Sequence, residues 1–188
     1  NNFAPLASGG SGEYDTKMVV VGYGISAEDL GYDDYAGVDV KDKVVVMLRK
    51  EPQQGDADSK FDGKRATQYA PFQRKVSTAA NQGAAAVIIV NDNFDVQKKS
   101  DAERKRWTET LEKLTAKHAE FKEIETPSEE QFQKHLREAT KLNGQLQESA
   151  DKLQKQQFDE LVKFLQAGVG NRKKMPVFFV AREEMDRV

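Results

Sequence analysis

The sequence of 188 residues contains no cysteine. Disulfides, thiolate metal sites and a cysteine nucleophile are therefore all excluded. No apolar run approaches the length of a membrane span. A charge excess of either sign is also missing: 29 Lys and Arg stand against 31 Asp and Glu, which argues against the basic surplus of a nucleic-acid binder. Histidine occurs only twice, at His118 and His135. The sequence starts at Asn1 without Met, so a fragment or processed product is expected, with any signal peptide missing. What is present is a 38% share of hydrophobic residues, gathered in short runs that can form a core although 32% of residues are charged. The length suits one domain, or one domain with an appendage.

Composition divides the chain at about residues 97 and 167. Asn1 to Lys17 is Gly- and Ser-rich and reads as an irregular lead-in. Met18 to Val21, Lys43 to Leu48, Ala86 to Val90 and Val177 to Val180 are strand candidates, and their unbroken apolar runs suit strands covered on both faces. Ala70 to Gln82 carries Phe72, Val76, Ala79 and Ala80 at helical spacing before Gly83, so a right-handed parallel βαβ unit is expected. A helix is expected to begin at Arg182.

Residues 97–167 are polar and helical in period. Ser100 with Glu103, and Thr126 with Glu129, form capping boxes, with Pro127 at a first helical position. Trp107, Leu111, Leu114, His118 and Phe121, then Phe132, Leu136, Ala139, Asn143, Leu146, Ala150 and Leu153, trace a heptad seam on each helix. These patterns predict an antiparallel helical hairpin with coiled-coil packing. Its helices would span Asp101 to Lys122 and Ser128 to Ala167, roughly 33 Å and 60 Å at about 1.5 Å per residue. The excess apolar turns, Phe158, Leu161, Val162, Phe164 and Leu165, would pack on the α/β part. A turn centred between Ile124 and Glu125 would place Leu114 near His135, and Trp107 opposite a window containing Gly144 that makes room for its indole.

The candidate chemistry is sparse. Gly22-Tyr23-Gly24 follows a strand, but no helical period starts there, so a turn is the better reading than a dinucleotide site. His118 and His135 could serve a zinc ion or a Ser-His-Asp triad, yet both fall in the helical region, on or beside the seam. Glu28, Asp29, Asp33 and Asp34 interleave with Tyr32 and Tyr35 without EF-hand spacing, and read as a solvated loop ahead of a calcium site. Glu51 to Phe61 reads as a mobile polar loop.

Three stretches together resemble a known family. Val20 to Ile25, Gly31 to Val40 and Lys43 to Leu48 resemble the opening of a protease-associated (PA) domain, of the kind inserted in two-zinc aminopeptidases related to aminopeptidase Y and glutamate carboxypeptidase. Lys75 to Asp92 resembles that domain's helix and next strand, and Met175 to Val180 its closing strand. Asp42 departs from the family, which commonly has Gly before the strand Lys, and residues 97–167 lie outside its usual pattern. The resemblance implies an α/β fold: a swivelling β/β/α PA-like domain with a curved mixed sheet, built from residues 1–96 and 168–188 and interrupted by the helical hairpin 97–167. It implies a non-catalytic module that borders a peptidase domain, shapes substrate access or mediates protein contacts, in a secreted, periplasmic or envelope protein. Peptide or protein substrates and the adjacent domain are the partners it implies; no nucleic acid and no membrane span are expected. Catalytic and metal-binding residues are expected to be absent here, with zinc confined to a separate catalytic domain. Tyr32, Asp33, Asp34 and Tyr35 are the candidate binding residues. The alternatives are an interaction or oligomerisation module acting through the hairpin and a self-contained hydrolase, for which no constellation is in evidence.

Overall fold

The computed structural model describes residues 2–155, 158–163 and 175–187. The chain divides into two compact units, Asn1–Phe94 with Asp159–Val188, and Asp95–Phe158.

The first unit is built on a five-stranded sheet. Its strands are β1 (Phe3–Pro5), β2 (Met18–Val20), β5 (Val44–Leu48), β6 (Ala86–Val90) and β7 (Val177–Val180), in the order β1-β7-β6-β5-β2. β2, β5, β6 and β7 run parallel, and β1 closes one edge antiparallel to β7. A separate two-stranded sheet pairs β3 (Ser26–Ala27) with β4 (Tyr32–Asp33) across a 3₁₀ turn at Glu28–Leu30. α1 (Phe72–Asn81) supplies the crossover between β5 and β6, as the βαβ reading requires. Gly83 follows it at φ +85°, a conformation that ends a helix at little cost for Gly.

The period of two along each strand sorts the sheet into faces. Val45, Met47, Val87, Ile89, Val177 and Phe179 share a core with Val76 and Ala79 of α1, and Val19 packs against it. Each fully buried side chain of this kind contributes about 1.5–3 kcal/mol. Phe61 and Tyr69 anchor a smaller cluster with Ile25 and Ala27. The loop expected to be mobile, Glu51 to Phe61, therefore has both of its end residues buried.

The lead-in is not wholly irregular: Phe3–Pro5 pairs with Pro5↔Phe178 and Phe3↔Val180 in register. A three-residue strand beside Gly-rich sequence has no periodicity to betray it; the exposed edge of β7 creates it.

The second unit holds most of α2 (Asn93–Lys122) and all of α3 (Glu129–Gln154). α2 starts eight residues before the expected Asp101. Asp92 Oδ1 accepts from the Phe94 N–H at 2.9 Å, which caps the helix there, so Ser100 is an interior residue. α3 is capped by a reciprocal Ser128–Gln131 box and not by Thr126 and Glu129. It stops at Gln154. The two helices, 30 and 26 residues, are therefore nearly matched, about 45 Å and 39 Å at roughly 1.5 Å per residue. Leu161 and Val162 do pack on the first unit's core, but from extended chain. Phe164 and Leu165 lie outside the described residues.

Side chains of α2 and α3 meet in antiparallel order. Phe121 stacks on His135 at 4.2 Å between centroids and lies 6.2 Å from Phe132. His118 lies 5.7 Å from His135, and the buried Ser149 hydroxyl donates to Glu103. The expected register is off by about one turn: His135 faces His118, not Leu114. The connection contributes about half of that shift, because with Ser128 as the cap it runs through residues 123–128 and centres between Glu125 and Thr126. Gly144 makes no room for Trp107 either, since a Cβ built on it meets nothing within 4 Å.

Candidate functional site

The carboxyl ends of β2, β5 and β6 converge on one side chain. Lys75 occupies the apolar stripe of α1 with Phe72, Val76 and Ala79, and is 1% exposed. Its Nζ donates to the carbonyl oxygen of Tyr23, just after β2, and to that of Leu48, at the end of β5, at 3.4 Å. The same ammonium lies 5.6 Å from the Tyr23 ring centroid. Burial depresses the Lys75 pKa from 10.5 to about 7, against the opposing pull of Asp34, Glu51 and Asp92.

Those three carboxylates are already engaged. Asp92, after β6, accepts from the Tyr23 hydroxyl at 2.5 Å and Gln54 Nε2 at 2.7 Å, besides capping α2. Burial first, then Asp92, holds the Tyr23 phenol above its ordinary range. Glu51 accepts from the Thr67 N–H at 2.9 Å and from the Thr67 hydroxyl. Asn91 Nδ2 donates to Asp159 Oδ1 at 2.8 Å and to the Glu160 carbonyl at 3.1 Å, while Asp159 accepts from the Arg182 N–H. This ties the end of β6 to the returning chain and to α4 (Arg182–Met185).

The four sequence-derived candidates sit beside this network. Asp34 is a clasp: Oδ2 accepts from the Tyr23 and Ile25 N–H groups at 3.0 Å each, and Oδ1 accepts from the Tyr32 hydroxyl at 2.7 Å. Gly22 is needed for that clasp, because it has φ +54° and a Cβ there would come 2.5 Å from Asp34 Oδ1. Gly24, at φ +65°, completes the turn, and no helix begins at this loop. Tyr32 stands edge-on to Phe61 at 5.0 Å, and burial raises its phenol above its ordinary range. Asp33 is exposed and accepts from the Tyr35 N–H at 3.1 Å. Tyr35 is buried in the main core, and its hydroxyl has no hydrogen-bond partner among the described residues. Asp29 is drawn away to the Tyr69 hydroxyl. Among the described residues, no group of three or more His, Asp or Glu is arranged to hold a metal ion. No helix of the described residues is long and apolar enough to cross a membrane.

Lys75, Glu51, Asp92 and Asn91 were not singled out in the sequence. The one available signal was Lys75, a cation at the i+3 position of an apolar stripe that begins at Phe72.

A mixed five-stranded sheet with helices is consistent with a protease-associated domain. The PA domain family matches residues 5–117, and the chain belongs to it. That match starts before the stretches quoted above and runs into α2. PA domains are commonly associated with peptidase domains. Searches of curated proteins and of solved structures give no match. Asp42, where the family commonly has Gly, has φ +56°, so the position demands the left-handed conformation that Gly adopts freely and Asp tolerates.

Proposed function

We propose that this chain is the non-catalytic protease-associated module of a zinc aminopeptidase-like protein, a relative of aminopeptidase Y and glutamate carboxypeptidase. In this reading it has the swivelling β/β/α form, borders a separate catalytic domain that carries the zinc, and shapes the access of peptide or protein substrates. The parent is secreted, periplasmic or envelope-bound. The observation that carries the reading is the PA match over residues 5–117. The ionisable groups at the sheet's carboxyl edge support it, because Asp34, Glu51, Asp92 and Lys75 are all spent on internal hydrogen bonds. The test has two arms. The parent's coding sequence around residues 1–188 should encode a two-zinc peptidase domain, and the isolated chain with added zinc should not hydrolyse aminoacyl anilides. Turnover by the isolated chain, or a parent without such a domain, would overturn the reading.

A second reading has one observation in its favour. Leu111, Phe132 and Leu136 on α2 and α3 are 39%, 45% and 49% exposed. That is more apolar surface than a helical hairpin closed on itself should show, and it fits an interaction or oligomerisation role for the helices. Association lost on Leu136→Glu would select this reading.

A further inference from the structure

The only two histidines of the chain face one another across α2 and α3. Their ring centroids are 5.7 Å apart and their planes are tilted by 32°. The half-buried His135 ring lies flat on Phe121, at 4.2 Å and 6°, which holds its orientation, while His118 is exposed. Neither imidazole has a hydrogen-bond partner among the described residues, so no protein group occupies the ring nitrogens. Lys117, beside His118, is taken up by Glu120 Oε2 at 3.1 Å and Glu138 Oε2 at 4.0 Å, so carboxylates answer its charge. Lys122, one turn further along α2, is exposed to water and screened.

One ion fits between the rings at this spacing. A zinc–imidazole bond is about 2.1 Å long and the ring nitrogen lies about 1.1 Å from its centroid, so the ion sits about 3.2 Å from each centroid. Two rings at the tetrahedral angle then have centroids about 5.2 Å apart. The observed 5.7 Å exceeds this by about 0.5 Å, a difference that a small side-chain rotation of the exposed His118 closes. Two protein ligands leave the other coordination positions to water. That agrees with the absence, among the described residues, of any group of three or more His, Asp or Glu arranged to hold a metal.

We propose that His118 and His135 chelate one divalent transition-metal cation of the imidazole-binding class, such as Zn²⁺, and that the ion pins α2 to α3 near their connection. The fold holds both ligands in place without the metal. The reciprocal Ser128–Gln131 cap fixes where α3 begins, and so the height of His135 along it. Phe121 then stacks on His135 and touches Phe132, which locks that height to α2. Imidazole nitrogen suits zinc, nickel and copper, whereas calcium and magnesium take oxygen ligands. With both rings already held together, the second bond forms within the molecule. The pair should therefore bind at least about a hundredfold more tightly than one histidine alone. The inference is independent of the peptidase reading.

The test is a calorimetric titration of the metal-free, untagged chain with ZnCl₂. One ion should bind per 21.1 kDa chain, and MgCl₂ or CaCl₂ should give no signal. His118→Gln and His135→Gln should each weaken zinc binding about a hundredfold, and the double variant should bind no more weakly than either single one, as a shared site requires. Zinc should raise the midpoint of helix melting in the parent and not in the single variants. Far-ultraviolet spectra without metal should match the parent. Should His135→Gln disturb the hairpin, His118→Gln, at an exposed position, decides alone. Sedimentation with equimolar zinc should show the monomer mass, because both ligands belong to one chain. Zinc bound by the variants as by the parent, two ions lost separately with the two histidines, a zinc-dependent dimer, or no binding below about 1 mM would overturn the proposal.

Discussion

Lys75→Met asks whether a sealed ammonium under the sheet's carboxyl edge lowers stability at neutral pH. The fold holds the Lys75 pKa near 7, whereas the unfolded chain holds it near 10.5. Between those values the unfolded state binds the extra proton, so stability rises with pH, by at most about 1.4 kcal/mol per unit. Below about pH 7 both states are protonated, and the destabilising contribution of burial is constant. From pH 7.5 to 9.5 this one group should add about 2–3 kcal/mol. The Tyr23, Tyr32 and Tyr35 phenols work in the opposite sense. Their raised pKa values stabilise the fold below about pH 10 and lose that contribution above it. The window therefore closes at pH 9.5. Urea denaturation across it should show a rising unfolding free energy for the parent, and a flatter profile for Lys75→Met. At pH 9.5 the variant should be the less stable of the two, because it leaves the Tyr23 and Leu48 carbonyls without their donor. At pH 6.5 the difference should shrink or reverse. Parallel profiles for the two proteins would refute the reasoning, since Lys75 would then titrate alike in the folded and unfolded states.

Asp34→Ala removes the acceptor of two backbone N–H groups and one hydroxyl, and should cost about 2–4 kcal/mol in urea denaturation, with Asp34→Asn losing roughly half as much. Asp42→Gly should raise stability by about 1 kcal/mol, because φ +56° strains any residue with a Cβ, and Asp42→Val should lower it by more than that. Gly144→Ala should stabilise by about 0.5–1 kcal/mol and Gly144→Leu should also stabilise, measured by thermal melting; destabilisation by either would mean that the helix is crowded there. Replacing residues 97–155 by a ~10-residue Gly/Ser linker should leave a cooperatively unfolding domain, whereas carrying the deletion to 167 removes Asp159, Leu161 and Val162 from the first unit and should abolish cooperative unfolding.

The strands of the core were legible because a buried parallel sheet leaves little choice of residue. Val44 to Leu48 and Ala86 to Val90 are apolar at every position, so either face can be inferred without knowing the register. β1 was not legible, since its pairing depends on β7, which lies some 175 residues away. The helix boundaries failed for a local reason. Ser100 and Thr126 satisfy the capping pattern as well as Asp92 and Ser128 do. A cap signal states that a helix can start at a residue, and competition among candidates is settled by what precedes them. Asp92 wins because the end of β6 holds it in place, where it also serves Tyr23 and Gln54. Placing the cap at Thr126 in place of Ser128 accounts for about half of the error in register, since it moves the centre of the connection by one residue.

The site is a harder case, because its parts are conflicts that the sequence shows without resolving. A lysine in the apolar stripe of a short helix reads as a side chain whose stem is covered and whose head reaches water. Here the head reaches inward. What makes that tolerable is a pair of carbonyls contributed by residues 52 and 27 positions away in the chain, together with three carboxylates from three loops. None of those partners is identifiable from Phe72 to Asn81 alone. Asp34 shows the converse. It stands in an acidic, tyrosine-rich run that reads as a solvated loop holding the candidate binding residues, yet its oxygens are consumed by the turn that Gly22 and Gly24 make possible. The spacing of Gly22 and Asp34 was visible, but a glycine is silent about which side chain needs the space beside it. The two conflicts are coupled through Tyr23, whose N–H is held by Asp34, whose carbonyl is held by Lys75 and whose hydroxyl is held by Asp92. Loosening any one of the three should therefore move the other two. A double-mutant cycle between Asp34→Asn and Lys75→Met should show a coupling of about 0.5–3 kcal/mol, and strict additivity would mean that the contacts at Tyr23 act independently.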